Sequence, residues 1–355
     1  MEYSLIVYFF LIVTTCAISV FRYKIIRISS TTASVLLSAL IPSLISACRY
    51  GNGADYFLYE RIFNTFCNGD IFFEVKSLEV GFMLLTMCCS AISESPFFFF
   101  LICALLINYF FIWGIYKMSP NVLFSILLFF ITGTFFDTFN GLRQYIAASI
   151  VFCSYKFIIE RNRKNFILTI IAASLFHYSA LIMVPFYYLS KFRFNFCKAC
   201  ILLISEAVAG TTLYSIITYF LQYTRYSYFL TSVEYKIDIT IGSILYTSVI
   251  TLIAFIYLNN CHCRQDATYK TFLSLQVIIC AISITSLFLP LSSRLQYYFL
   301  PFEIIIIPKI ISSIRKAGNK IILASFFIFL YLGIVGTGML FYGWFGAIPY
   351  KFYFG

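Results

Sequence analysis

Charge is what this sequence has little of. Charged residues fill 11% of its 355 positions, against about 25% in a soluble globular chain, while 61% are hydrophobic. With a mean hydropathy of +0.92, this excludes a soluble domain of useful size and makes the chain an integral membrane protein. Alternating apolar stretches are also missing. The apolar runs are helix-length, which excludes an outer-membrane barrel. There is no internal repeat and no linker, so 1–355 reads as a single membrane domain. The run over 3–20 has no basic segment before it and no small-residue cleavage site, and so reads as a span, not a cleaved signal.

Metal-site spacing is absent too. Most of the twelve cysteines lie inside apolar runs, where a thiol packs as a small hydrophobe. Cys197 with Cys200, and Cys261-His262-Cys263, stand alone without a second pair at zinc spacing, so no metal site is expected. The net charge is +11, but the basic residues are scattered over short loops. That is a topology signal, not a stripe for nucleic acid.

What is present is a series of runs near the 20 or so apolar residues a span needs. They cover approximately 3–20, 30–48, 79–94, 97–116, 120–137, 142–159, 166–189, 199–220, 240–258, 271–290, 295–311 and 321–342. The expected fold is all-α, a polytopic transmembrane helical bundle of about 11–12 membrane segments with room for re-entrant hairpins. Basic clusters at Arg22/Lys24/Arg27, Arg161/Arg163/Lys164, Lys191/Arg193/Lys198, Arg264/Lys270 and Arg315/Lys316/Lys320 are placed in the cytoplasm. The segments 49–78, 137–144, 222–240 and 292–294 then lie outside, with both termini. Two stretches strain this path. From 78 to 116 the length suits two helices where an odd number of crossings is needed. From 164 to 191 a single span's length must return to its starting side. A shallow hairpin with Phe176-His177-Tyr178 at its tip satisfies the second, and places His177 in a polar cavity, where irregular backbone is tolerated.

Most ionisable residues outside the basic loops fall on the outer side. Arg49-Tyr50-Gly51-Asn52-Gly53-Ala54-Asp55-Tyr56-Phe57-Leu58-Tyr59-Glu60-Arg61 is dense in charge and aromatic rings between two apolar runs. It is either a solvated loop or a polar site at the membrane face. Arg143 and Gln144 stand directly before an apolar helix, whose N-terminus favours an anion. Arg225 and Arg294 are further outer arginines, each of which can simply snorkel from a helix end. Together, such arginines suit a lipid-borne diphosphate. His177 is either a satisfied buried histidine or a proton acceptor, and Glu303 either pairs with an arginine or packs near a kink.

These pieces, in this order, resemble the EpsG/Wzy-type family of bacterial polysaccharide polymerases. The matching segments are Arg49 to Tyr59, Glu79-Val80-Gly81-Phe82, Leu142-Arg143-Gln144-Tyr145-Ile146-Ala147, Ala172 to Leu181 around His177, and Arg294 to Phe299. They span about 1–310. Where the family has Val-Gly-Thr-Asp, this chain has Asn52-Gly53-Ala54-Asp55, so the threonine hydroxyl is missing.

The resemblance implies a glycosyltransferase of the bacterial inner membrane with its site on the periplasmic side. Its substrates would be glycan repeat units on undecaprenyl diphosphate, with membrane lipids around it and a chain-length regulator and a flippase as partners. It implies no cofactor and no nucleic acid. Arg143, with Arg49 and Arg294 beside it, would meet the leaving diphosphate. His177 or Asp55 would orient and deprotonate the acceptor hydroxyl. Gln144, Tyr56, Tyr59 and Tyr298 would contact substrate, the tyrosines alternatively serving as interfacial anchors. Rival functions are a flippase of lipid-linked sugars, which needs a site open to both faces, a ligase sharing the diphosphate chemistry, a membrane acyltransferase with its own histidine, and a purely structural bundle.

Overall fold

The computed structural model describes residues 2–24, 31–69, 78–223, 241–258, 267–286 and 295–354. Arg225, nearly all of 222–240, Cys261-His262-Cys263 and Arg294 lie outside the described residues. Within them the structure is helical, and its one isolated bridge pairs Arg49 with Phe352. Five of the described helices are long and apolar enough to cross a bilayer: Glu2–Val20, Pro96–Met118, Leu142–Ile159, Thr268–Thr285 and Ala317–Phe341. Shorter apolar helices accompany them, so this is an all-α, multi-pass membrane protein. The chain packs as two compact units, Met1–Val184 with Ile321–Gly355, and Pro185–Lys320.

The first unit contains α1 (Glu2–Lys24), α2 (Thr31–Ala47), α3 (Tyr56–Cys67), α4 (Val80–Ile92), α5 (Pro96–Met118), α6 (Val122–Ile131), α7 (Thr134–Asp137), α8 (Leu142–Ile159) and α9 (Arg163–Ser174). Helices α2, α5 and α8 form its centre. Small residues let α2 approach α5 closely, as between membrane helices generally: Ser34, Ser38, Ala39 and Ser43 are buried. Asn108 of α5 donates to the Ser43 hydroxyl at 3.2 Å. Eighteen residues make up α8, matching the apolar run read from the sequence, and most of its length is enclosed by other helices.

The stretch 49–78 is not loop throughout. Tyr56, Tyr59, Ile62, Phe63 and Phe66 are buried along one side of α3, the three- and four-residue spacing of an amphipathic helix. The strained stretch 78–116 also resolves. Helix α4 has 13 residues, about 20 Å at 1.5 Å per residue, well short of a bilayer core of about 30 Å. Its first residues meet the segments around Arg143 and His177. Its last lead within a few residues into the start of α5, where Phe97 lies 5.1 Å from Phe354. Both ends of α4 are thus at the same end of the unit, and α5 is the helix of this stretch long and apolar enough to cross a bilayer.

Helix α9 is likewise short, at 12 residues. The backbone leaves it extended at His177 (φ −157°, ψ 117°) before a 3-10 turn, Tyr178–Met183. The apolar run over 166–189 is therefore broken at the histidine, where the sequence places a hairpin tip. At the same end, Tyr8 of α1 donates to the Ala347 carbonyl at 2.6 Å, and the Tyr350 hydroxyl donates to the Ile45 carbonyl at 2.7 Å. The unit thus gathers at one end both terminal segments and the stretches around 49–60 and 137–144, which the charge pattern places together.

In the second unit, helices Phe196–Leu221, Ile241–Leu258 and Ala267–Thr285 precede a helical stretch broken at Leu300–Phe302. Glu303 is 2% exposed and accepts from the Gln276 amide at 3.1 Å.

Candidate functional site

The site begins with a turn that the chain's last residues hold shut. Asn52 is buried, and its side-chain amide reaches the carbonyls of Gly346 (3.0 Å), Ala347 (3.3 Å) and Pro349 (2.8 Å). Its carbonyl oxygen accepts from the Lys351 amide at 2.9 Å. Asn140 makes the second tie. Its Oδ1 accepts from the Ala54 amide at 2.7 Å, and its Nδ2 donates to the Phe345 carbonyl at 3.1 Å. Gly53 sits between them at φ +93°, where a Cβ would stand 2.4 Å from the Phe139 carbonyl oxygen. Only glycine fits that backbone. The turn delivers Asp55, whose Oδ2 accepts from the Gly141 amide at 2.8 Å, immediately before α8. The start of α8, and with it Arg143, is thereby located.

Arg143, the second residue of α8, points at Glu79, the residue before α4. Its Nη1 donates to Glu79 Oε2 at 2.8 Å, and Nδ1 of His177 lies 2.7 Å from Glu79 Oε1. One carboxylate, 5% exposed, therefore joins a guanidinium and an imidazole whose side chains are each 24% exposed. An ionised carboxylate can only accept, so in the neutral ring Nδ1 carries the hydrogen and Nε2 presents a lone pair. Burial pushes the Glu79 carboxyl up, but the His177 hydrogen bond and the Arg143 charge outweigh it and hold the group below its ordinary value. It is an anion at neutral pH.

Two further contacts fix the arrangement. The Gly81 amide donates to the Leu175 carbonyl at 2.8 Å, joining the first turn of α4 to the turn that carries His177. The Tyr59 hydroxyl accepts from the Arg143 amide at 3.4 Å. Burial raises the Tyr59 phenol, with Arg143 opposing only in part, so it stays a neutral hydroxyl.

The candidate residues separate by position. Asp55, Tyr59, Arg143 and His177 belong to this end of the first unit, with Glu79 at their centre. Arg49 is close by in sequence but differently engaged. It is 2% exposed, donates to the carbonyls of Ser46 and Asn52, and lies over the rings of Phe139 (4.7 Å) and Phe100 (5.1 Å). Burial pulls its pKa down to about 10, which leaves it charged at neutral pH. Tyr56 is fully buried and stacked on Phe100 at 4.7 Å, and Gln144 is buried in α8. Tyr298 is buried within the second unit. Neither Tyr56, Tyr59 nor Tyr298 is an exposed anchor. Among the described residues no group of histidine, cysteine, aspartate and glutamate could hold a metal ion.

Glu79 is the candidate residue that sequence reasoning passed over. Its signal was a carboxylate opening an apolar helix inside a motif quoted for its family resemblance. The closing segment 343–353 carried no signal at all. A family model described as the EpsG family matches residues 32–352 and so takes in all but the last residue of that segment, beyond the 310 or so residues that the resemblance spans. No curated protein and no solved structure matches the chain. With nine-tenths of its length under that model, and every element of the site inside it, the chain belongs to the EpsG family.

Proposed function

We propose that this protein is a polysaccharide polymerase that joins oligosaccharide repeat units carried on undecaprenyl diphosphate, at the periplasmic face of the bacterial inner membrane. Family membership supports the class. The observation that carries the site is the bridging of Arg143 and His177 by the single carboxylate of Glu79, at 2.8 and 2.7 Å.

In the proposed step, the acceptor hydroxyl oxygen attacks the anomeric carbon of the donor glycan. The bond from that carbon to the diphosphate oxygen breaks, and the electron pair leaves with the lipid diphosphate. The hydroxyl proton passes to Nε2 of His177, which Glu79 orients through Nδ1. Arg143, at the N-terminus of α8, meets the charge growing on the diphosphate. Asp55 is a positioning residue, since its carboxylate is committed to the Gly141 amide. Arg49 holds the Ser46–Asn52 turn. A flippase that delivers the units and a chain-length regulator are the partners proposed for this role.

The test is in cells. Arg143→Ala and His177→Ala should each remove long-chain polysaccharide and leave surface glycan of single repeat units, with the protein still present in the membrane. Long chains of normal length from either variant would refute the assignment of that residue.

A further inference from the structure

The proposed step leaves a feature unused: Glu79 has two partners, and of these only Arg143 would be claimed by the donor's diphosphate. We propose that Glu79 is a positioning residue that changes partners during the cycle, giving up Arg143 to the bound diphosphate and keeping His177. This rests on the reading above and adds the coupling between donor binding and the base.

The geometry supplies the means. Each carboxylate oxygen serves one partner, Oε2 for Arg143 Nη1 and Oε1 for His177 Nδ1, so one bond can open without disturbing the other. Glu79 is almost fully enclosed, whereas the guanidinium is a quarter exposed. The movable member is therefore the arginine. Its backbone stays anchored through the Tyr59 hydroxyl at 3.4 Å and through Asp55 on the Gly141 amide. The guanidinium, whose side chain also bonds Tyr59, can exchange Glu79 for the diphosphate by rotating on its side-chain torsions while α8 stays in place. A diphosphate presents more charge and more acceptors than one carboxylate and can outcompete it. Once Arg143 has turned, the Glu79 charge is no longer shared and falls wholly on the Nδ1 hydrogen of His177. Nε2 becomes a better proton acceptor only when a leaving group is in position. Tyr59, whose hydroxyl accepts from the Arg143 amide, and Asp55, just before α3, are further ionisable side chains at this end of the unit. The Asp55 carboxylate is already occupied at the Gly141 amide.

Glu79→Gln tests this in the purified full-length protein in lipid nanodiscs, with inorganic diphosphate as the probe and lipid-linked repeat units as substrate. Without a carboxylate to compete for Arg143, the variant should bind diphosphate about tenfold more tightly, as expected for losing one charge-assisted bond. It should nonetheless turn over at least tenfold more slowly, with KM and kcat falling together. A merely structural glutamate would weaken both. Diphosphate affinity that is unchanged or weaker in Glu79→Gln overturns the exchange of partners. If wild type fails to bind diphosphate, or Arg143→Ala binds it equally well, the polymerase site itself is refuted and this proposal with it. Should Glu79→Gln fail to fold, a structure of the wild type with diphosphate decides. The Arg143–Glu79 separation must grow from 2.8 Å to beyond ion-pair range while His177 keeps its bond. Retention of both bonds overturns the proposal.

Discussion

Replacing Asn52 with alanine should free the chain's closing segment without disturbing the helices beneath it. The side-chain amide of Asn52 has two hydrogens for three carbonyls, at Gly346, Ala347 and Pro349, and its oxygen takes the Lys351 amide. That amounts to three hydrogen bonds' worth of pairing in a residue 3% exposed. At a net contribution of about 1 kcal/mol each, alanine costs about 3 kcal/mol. Since 1.4 kcal/mol is a factor of ten, local opening of 343–353 should become roughly a hundredfold more frequent. The remaining ties from Asn140, Tyr8 and Tyr350 keep the segment attached most of the time, so protein abundance should hold. Amide hydrogen exchange read by mass spectrometry is the assay. Peptides covering 343–353 should exchange about two orders of magnitude faster, while those in α5 and α8 should not change. Polymer should also decline, because the same turn delivers Asp55 to the start of α8. Exchange over 343–353 within threefold of wild type would refute the argument that Asn52 holds this closure.

Two further outcomes follow from the bridging carboxylate. In Gly81→Ala the new Cβ would stand 2.8 Å from the Leu175 carbonyl oxygen, pushing on the turn that carries His177. Polymer should fall tenfold or more with the protein still in the membrane, and unaltered polymer would show that this turn yields freely. The second outcome concerns pH. The folded-state value of Glu79 is depressed, so its stabilising contribution is present above the unfolded carboxylate value and lost as pH falls through the depressed one. The difference in thermal stability between wild type and Glu79→Gln should hold from neutral pH to about 5 and shrink only below about 4. A difference that fades by about pH 6 would mean that the partners do not keep Glu79 ionised.

The helical membrane class was legible because it depends on composition and run length, which are local. The run over 142–159 became α8 residue for residue. Elsewhere length misled. The run over 166–189 is long enough for one span, yet it breaks at His177. The charge count on either side already demanded a return there. Tyr56 and Tyr59 also looked like interfacial anchors, since a tyrosine between a loop and a membrane run ordinarily is one. The three- and four-residue spacing of apolar residues from Tyr56 to Phe66 was visible, but it lay in a segment assigned to a loop because it was too short and too polar to span.

The sequence by itself determined the solvent: with so few charges, only helices that satisfy their own backbone hydrogen bonds can occupy a bilayer, so the class and most long helices follow from composition. It also supplied the list of polar side chains from which a site must be made. Which of them meet was decided by tertiary structure alone. Glu79 stands 64 positions from Arg143 and 98 from His177, and their meeting depends on two helices too short to cross and ending face to face. Asn52 closes on residues nearly 300 positions away through backbone carbonyls, which every residue carries, and so no residue pattern announces the contact.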